Sequence, residues 1–377
     1  MFRREFLGAV AAVAAGGTAN GLHRLLPAAG RPSAAAPGRI GASDVAAVRQ
    51  TIAQFRTLAY RFGWGASLDP AVGFAGWTHG MLSAEQSTAT ATELRIALVQ
   101  LYLLIGWAHF DGGRPDDARR QQVQALALAR DAEQPALVGH VLSEMSQVTT
   151  EHGDPRDGLR LAGYGLVALD PTPAHAPVRG GLHIAEAWAL AQVADDRRAE
   201  EALSRAADEL ARADLSAGPD WSWATAHLYT PGWLESNSGR VHTELARTPQ
   251  LRGHAETAVG AAETARASYD GQVSRNALDQ ISLATAQLLD GARDEGLRAG
   301  HHAVEQVAAL HSARTFTMLA RLADAAHRYY ANAPDAIDLR HRIAALTPRA
   351  QREPARDSAA RPPAPLRYPA QSTGGVA

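Results

Sequence analysis

The stretch FDGGRPDDARRQQVQALALA, residues 110–129, decides the fold, because a turn rich in Gly and Pro leads into an amphipathic helix. Similar stretches return at 151–169 (EHGDPRDGLRLAGYGLVAL), 193–210 (VADDRRAEEALSRAADEL) and 289–307 (LDGARDEGLRAGHHAVEQV). Repeated units of one turn and one helix are typical of proteins that bind partners on an extended surface. The question is therefore whether these stretches keep a regular spacing.

The spacing is close to forty residues. Ala118, Gly158 and Ala199 open the helix after their turns at intervals of 40 and 41 residues, and Ala255 and Gly296 are again 41 residues apart. The remaining interval, from Ala199 to Ala255, is 56 residues long and contains a Trp-rich insertion. A period of this size indicates an array of helical repeats.

Each repeat is predicted to contain two helices, one before the turn and one after it. Ala and Leu dominate the 46% hydrophobic fraction and favour helix, whereas aromatic residues make up only 6%. Gly106 stands within a first helix, where it costs about 1 kcal/mol relative to Ala, so we expect the partner helix to approach closely there. The predicted fold class is all-α, an α-solenoid of about five helix hairpins with disordered termini.

The residues of the first repeat resemble a tetratricopeptide repeat stretched from about 34 to about 40 residues. The positions that carry this likeness are Tyr102, Ile105, Gly106, His109, Ala118 and Ala125. Over about residues 3–325 the chain is similar to the C-terminal tetratricopeptide-like region of actinobacterial helix-turn-helix regulators of the Cro/repressor type. The resemblance implies a transcriptional-regulatory context. The chain begins where the helix-turn-helix of that family has already ended, so direct DNA binding is not expected.

The predicted domain organisation is a segment at 1–40, a helical repeat domain at 41–346, and a disordered tail rich in Pro and Arg at 347–377. Two interpretations of the first segment stay open. Arg3, Arg4, Phe6 and Leu7, followed by a mild apolar stretch, resemble a twin-arginine export signal. In the resembled family a similar stretch follows the DNA-binding domain, which favours a linker and a cytoplasmic location. The apolar stretch is too short for a membrane span.

Composition and motifs argue against catalysis. The chain has no Cys and no Lys, which excludes thiolate chemistry and the Lys of a phosphate-binding loop. Nucleophile-elbow and His-Glu-x-x-His patterns are missing, and adjacent His301 and His302 diverge too far on a helix to share one ion easily. Acidic pairs such as Asp116 with Asp117 lie in turns, where they cap helices. No cofactor, no metal and no enzymatic activity are expected.

Aromatic residues cluster in the insertion GPDWSWATAHLYTPGWLE, residues 218–235. They fill either the enlarged junction between repeats or one wall of a ligand groove. Trp107 and Trp188 are predicted core residues, and Trp64 is either a lid or a loop anchor.

The expected function is that of a regulatory interaction module, which binds a peptide, a protein or a small-molecule signal. Self-association into a homo-oligomer stays an open alternative. The alternative is an exported binding protein of the same fold. Recognition is predicted on the face of the first helices, because second helices form the outer side of such arrays. The candidate groove residues are His109, Gln147, Trp221, Trp223 and Gln287.

Overall fold

The computed structural model describes residues 38–214, 228–268, 272–308, 310 and 312–346, and this part of the chain is all-helical. The single β-bridge among these residues joins Arg39 to Glu85 and belongs to no strand. The predicted all-α class is therefore confirmed. The predicted tail at 347–377 and the export-like residues Arg3, Arg4, Phe6 and Leu7 lie outside the described residues.

Fourteen α-helices occur in the described ranges. They are α1 (Ala42–Phe62), α2 (Leu68–Gly80), α3 (Thr88–Asp111), α4 (Pro115–Asp131), α5 (Pro135–Glu151), α6 (Pro155–Val167), α7 (Ala176–Ala191), α8 (Asp196–Ala211), α9 (Pro231–Ala246), α10 (His254–Ser268), α11 (Val273–Asp290), α12 (Arg293–Val307), α13 (Ala313–Tyr330) and α14 (Pro334–Leu346).

From α3 onward the helices pack as consecutive pairs, α3 with α4 through α13 with α14. The described residues thus contain six hairpins rather than about five. The sixth continues the spacing, because Ala336 follows Gly296 by 40 residues and Pro334 opens its second helix as Pro115 opens α4. Turn glycines adopt the left-handed conformation that other residues avoid, with φ of 74° at Gly113 and 99° at both Gly153 and Gly291. Proline then opens several helices, including Pro115 and Pro155, where its missing N–H costs nothing.

Small side chains twelve residues apart let the two helices of a hairpin approach. Gly106 of α3 faces α4, and a Cβ built on it would lie 3.5 Å from the Ala118 carbonyl oxygen. In the next hairpin the Ser146 hydroxyl of α5 donates to the Gly158 carbonyl oxygen of α6 at 2.7 Å. The expected close approach at Gly106 is present. The tightest of these contacts is at Gly158, where a Cβ would overlap the Thr150 side chain and lie 3.0 Å from the Ser146 carbonyl oxygen.

The first helices of the six hairpins, which we call the inner helices, contact one another in order. They are α3, α5, α7, α9, α11 and α13, and α13 also contacts α3, so that the row closes on itself. Helix α1 adds to this closure because it packs against both α3 and α11. The second helices pack on the other side of the row. The result is an interior surrounded by inner helices rather than an open groove.

Two polar contacts join the ends of this closed row. The Ser312 hydroxyl at the start of α13 donates to Asp111 at the end of α3 at 2.5 Å. Arg314, two residues further on, donates twice to Glu151 at the end of α5, each time at 2.7 Å. These pairs are separated by 201 and 163 residues in sequence, so closure depends on long-range contacts.

Helix α3 is the central packing element. By length and composition it is the one described helix that could cross a membrane, but 72% of its apolar window is buried inside the protein. Leu94, Leu98, Leu101 and Ile105 are almost completely buried. Burial against other helices is the ordinary reason for such a sequence in a core helix.

Candidate functional site

The inner helices surround a pocket with about 980 Å³ of empty space, including its open mouth. Charged, polar and aromatic side chains line it together, as is typical of ligand sites. The lining residues include Arg56, Trp64, Trp107, His140, Glu144, Gln147, Trp233, Ser236, Arg240, Arg275, Leu278, Asp279 and Arg314. They come from α1, α3, α5, α9, α11, α13 and the short 3₁₀ turn Trp64–Ser67.

Glu151 organises the positive charge beside this pocket. Its carboxylate accepts from Arg240 at 2.8 Å and from Arg314 at 2.7 Å, and all three side chains are about 10% exposed. Burial disfavours the ionised form of Glu151, but Arg314 and Arg240 outweigh it and lower its pKa. Burial, together with repulsion from Arg314, lowers the pKa of Arg240 to about 10. Glu151 and Arg240 therefore stay charged at neutral pH.

Two carboxyl groups face the pocket itself, and both are buried. Burial raises the pKa of Glu144 to about 7, against the opposing effects of a hydrogen bond from the Trp107 indole N–H and of nearby Arg314 and Arg275. Burial also raises the pKa of Asp279, whose carboxylate accepts from the Ser236 hydroxyl at 2.6 Å. Glu144 is thus partly protonated at neutral pH, which makes the pocket more positive than a formal count of charges suggests.

Aromatic rings form one side of the pocket. The rings of Trp64 and Trp107 lie 6.2 Å apart, and the Arg314 guanidinium lies 5.3 Å from the centre of the Trp107 ring. Trp233 stands at the other side, 5.6 Å from the buried ring of Tyr229. The pocket therefore offers flat apolar surfaces together with cationic groups.

The Tyr229 hydroxyl lies 2.8 Å from Nδ1 of His140, and both side chains are buried. Burial, helped by Arg56, lowers the pKa of His140 to about 3. This histidine is therefore neutral at physiological pH and adds a polar group without a charge.

A second pocket with about 1540 Å³ of empty space adjoins the first and shares Arg240 and Arg314 with it. Trp188 of α7 lines it, and the Arg240 guanidinium lies 4.7 Å from the centre of that ring. The Arg240–Glu151–Arg314 cluster therefore lies between two compartments of the same interior.

The structure does not bring the predicted groove residues together. Gln147 of α5 lines the first pocket, whereas His109 and Gln287 line neither of the two pockets described. His109 is 8% exposed, and burial lowers its pKa, with Arg114 and Arg120 among the neighbouring charges. Trp221 and Trp223 lie outside the described residues.

The other aromatic predictions have clear outcomes. Trp233 and Tyr229 of the Trp-rich insertion are core residues with exposures of 4% and 8%, and Trp233 also borders the pocket. Trp188 is buried as expected, whereas Trp107 is only half-buried and is not a core residue; each of them lines a pocket. Trp64 is a wall of the first pocket.

The expectation that acidic pairs cap helices holds for Asp195 but is wrong for Asp116 and Asp117, because α4 begins after Arg114 and has no side-chain cap. Asp116 and Asp117 occupy the first turn of α4, and Asp195 caps α8 by accepting from the Arg198 N–H at 3.4 Å. His301 lies beside Arg342 at 3.0 Å, and exposed His302 pairs with Gln306. His311 lies outside the described residues.

Sequence reasoning missed the arginines and carboxyl groups of the pocket. Arg240, Glu144 and Asp279 interrupt the apolar pattern of inner helices, and a charged residue at such a position is the signal that could have found them. Their mutual proximity could not be found in this way, because it depends on ring closure. No family model matches the chain, and no curated protein matches it either.

Proposed function

We propose that this chain is a non-enzymatic ligand-binding module that senses a small organic acid in the pocket between its inner helices. The observation that carries the proposal is the juxtaposition of four guanidinium groups with flat aromatic walls in one buried pocket. In this proposal the hairpins form a tetratricopeptide-like solenoid whose row of inner helices is closed. The resemblance to regulator C-terminal regions supports a regulatory role.

Charge favours an acidic ligand. Arg56, Arg240, Arg275 and Arg314 line the pocket, against Glu144 and Asp279. When Glu151 is included, the described side chains in and beside the pocket still carry a net formal charge of one positive unit. Partial protonation of Glu144 increases this net positive charge. A carboxylate or phosphate entering a site with low water content interacts strongly with such groups.

Shape favours a small molecule or the end of a peptide over a folded partner. The space inside the pocket that a ligand could occupy is about 130 Å³, which admits a small molecule or the end of a peptide and not a folded domain. Trp64 and Trp107 offer stacking surfaces for an apolar or aromatic body. The expected ligand therefore combines one acidic group with such a body.

Catalysis is not part of the proposal. The pocket carboxyl groups accept hydrogen bonds from an indole and a hydroxyl, which hold them in place. An indole N–H is not a nucleophile, and we assign the contact of the Ser236 hydroxyl with Asp279 a positioning role rather than the activation of a nucleophile. The proposed use of the raised Glu144 pKa is to tune the charge that a ligand meets.

The test is a binding screen with aryl and alkyl carboxylates, each paired with its neutral amide. We expect acids, and not the matched amides, to raise the melting temperature and to quench fluorescence from Trp64 and Trp107. Leu278→Trp fills the pocket and should abolish both responses, whereas Leu278→Met keeps its volume and should retain them. Equal responses to acids and amides, or full responses in Leu278→Trp, would contradict the proposal.

A further inference from the structure

Outside the lining of the first pocket, two histidines from neighbouring helices lie with their Nδ1 atoms in contact. Nδ1 of His242 in α9 lies 3.0 Å from Nδ1 of His254 at the start of α10. The rings are stacked, with centres 5.1 Å apart and an angle of 27° between their planes. Two Nδ1 atoms at this distance either share one proton in a hydrogen bond or bind one ion together.

A carboxylate from a third helix completes the cluster. Oε1 of Glu200 in α8 lies 3.7 Å from Nδ1 of His254, and one ligand atom of each of the three residues lies within 4.8 Å of the others. His242 is 7% exposed, whereas the Glu200 side chain is 58% exposed. The cluster therefore has an anchored buried ligand and a side open to solvent through which an ion can enter.

We infer that Glu200, His242 and His254 form a binding site for a zinc ion. Bonds of about 2.0–2.2 Å at tetrahedral angles set neighbouring ligand atoms about 3.3–3.6 Å apart. The distances of 3.0 and 3.7 Å lie on either side of that range, so small side-chain rotations suffice. Two imidazoles and one carboxylate are ligands that zinc accepts, and water takes the fourth position.

The position of the site indicates what the ion does. Glu200 belongs to the α7–α8 hairpin, while His242 and His254 belong to the α9–α10 hairpin. These two hairpins are joined across the irregular 56-residue interval of the repeat. An ion held by both would cross-link neighbouring repeats where the regular turn is replaced by a longer connection. The ion would therefore link the two hairpins, and none of its three protein ligands lines the ligand pocket.

The test uses the full chain without an affinity tag, freed of metal with a chelator. Zinc is titrated in competition with a chromophoric chelator, and cobalt serves as a spectroscopic probe of tetrahedral coordination. We expect one zinc ion per chain, cobalt d–d bands of a tetrahedral site, and a higher melting temperature with zinc. Glu200→Gln, an exposed change that keeps the helix, should weaken zinc binding by about 10-fold.

His254→Gln should weaken zinc binding by about 100-fold and abolish the cobalt bands. His302→Gln, which alters an exposed histidine outside the cluster, is the matched control and should change the affinity less than 2-fold. Circular dichroism of each variant checks that the helices are retained. The inference is overturned if the wild-type chain binds no stoichiometric zinc, or if Glu200→Gln and His254→Gln bind it as tightly as the wild type.

Discussion

Among single residues, Glu144 shows most clearly how burial changes chemistry. Its carboxyl group lies inside the ring of inner helices, where water cannot solvate a negative charge, and its pKa rises to about 7. The Trp107 indole, Arg314 and Arg275 favour the ionised form but do not outweigh burial. A carboxyl group whose pKa is raised in the folded state stabilises the fold only while it is protonated.

Replacing Glu144 by Gln should therefore change how stability depends on pH. The contribution of Glu144 is fully present below its unfolded-state pKa and is lost as the pH rises through about 7. We expect Glu144→Gln to raise the free energy of unfolding at pH 8 by about 1–3 kcal/mol, with little change at pH 4.

Urea denaturation at the two pH values measures this difference. Glu263→Gln, an exposed change on α10, is the control and should alter stability by less than about 0.5 kcal/mol at both. A Glu144→Gln variant that is destabilised more at pH 8 than at pH 4 would contradict this prediction, because it would show that the ionised carboxylate stabilises the fold.

The packing of helix pairs depends on small residues where the two helices of a hairpin meet. The space available for a larger side chain differs from one hairpin to the next. Gly106 and Gly158 both lie where two helices of a hairpin meet. A Cβ on Gly106 would have its nearest contacts at 3.4 and 3.5 Å, which is ordinary van der Waals distance. A Cβ on Gly158 would overlap Thr150 and press on the Ser146 carbonyl oxygen. Of these two positions, therefore, only Gly158 requires glycine for packing.

Alanine substitutions at these two positions should have opposite effects. Gly106→Ala gains helix propensity without a clash, and we expect it to be neutral or to stabilise the fold by up to about 1 kcal/mol. Gly158→Ala forces α5 and α6 apart, and we expect a loss of about 1–3 kcal/mol. Thermal and urea denaturation of the two variants compare them directly. Equal stability of Gly158→Ala and Gly106→Ala would contradict the expected difference in packing between the two positions.

At the scale of the whole molecule, closure of the ring of inner helices depends on a cluster of buried charged side chains. Breaking this cluster would cost a large free energy. Glu151 of α5 lies between Arg240 of α9 and Arg314 of α13, and all three are largely buried. Without the carboxylate, two guanidinium groups would face each other with little water to solvate them. Removing one partner of a buried charge cluster is costly for this reason.

We expect Glu151→Gln to lower the free energy of unfolding by about 3–5 kcal/mol. Small-angle scattering should show a larger radius of gyration, because repulsion between the two arginines separates α13 from the helices it closes against. Glu201→Gln removes a surface pair with Arg197 whose side chains are 47% and 73% exposed, and it should cost less than about 1 kcal/mol. Equal stability of the two variants would mean that the buried cluster does not hold the ring together.

Sequence alone determined the helices and their pairing, because the signals involved are local. The turn glycines, the prolines at helix starts and the small residues near Ala118 and Gly158 act over one or two helical turns. Their repetition every forty residues made the all-α class predictable. The acidic residues near helix starts were predictable for the same reason, although only Asp195, and not Asp116 or Asp117, forms a cap.

Only the tertiary structure decided which polar residues share a site. Asp111 meets Ser312 across 201 residues, and Glu151 meets Arg314 across 163, because the row of inner helices curves until its ends touch. Curvature accumulates from small rotations between hairpins, and no local pattern encodes their sum. The site belongs to the closed ring, and closure is a property of all the hairpins packed together.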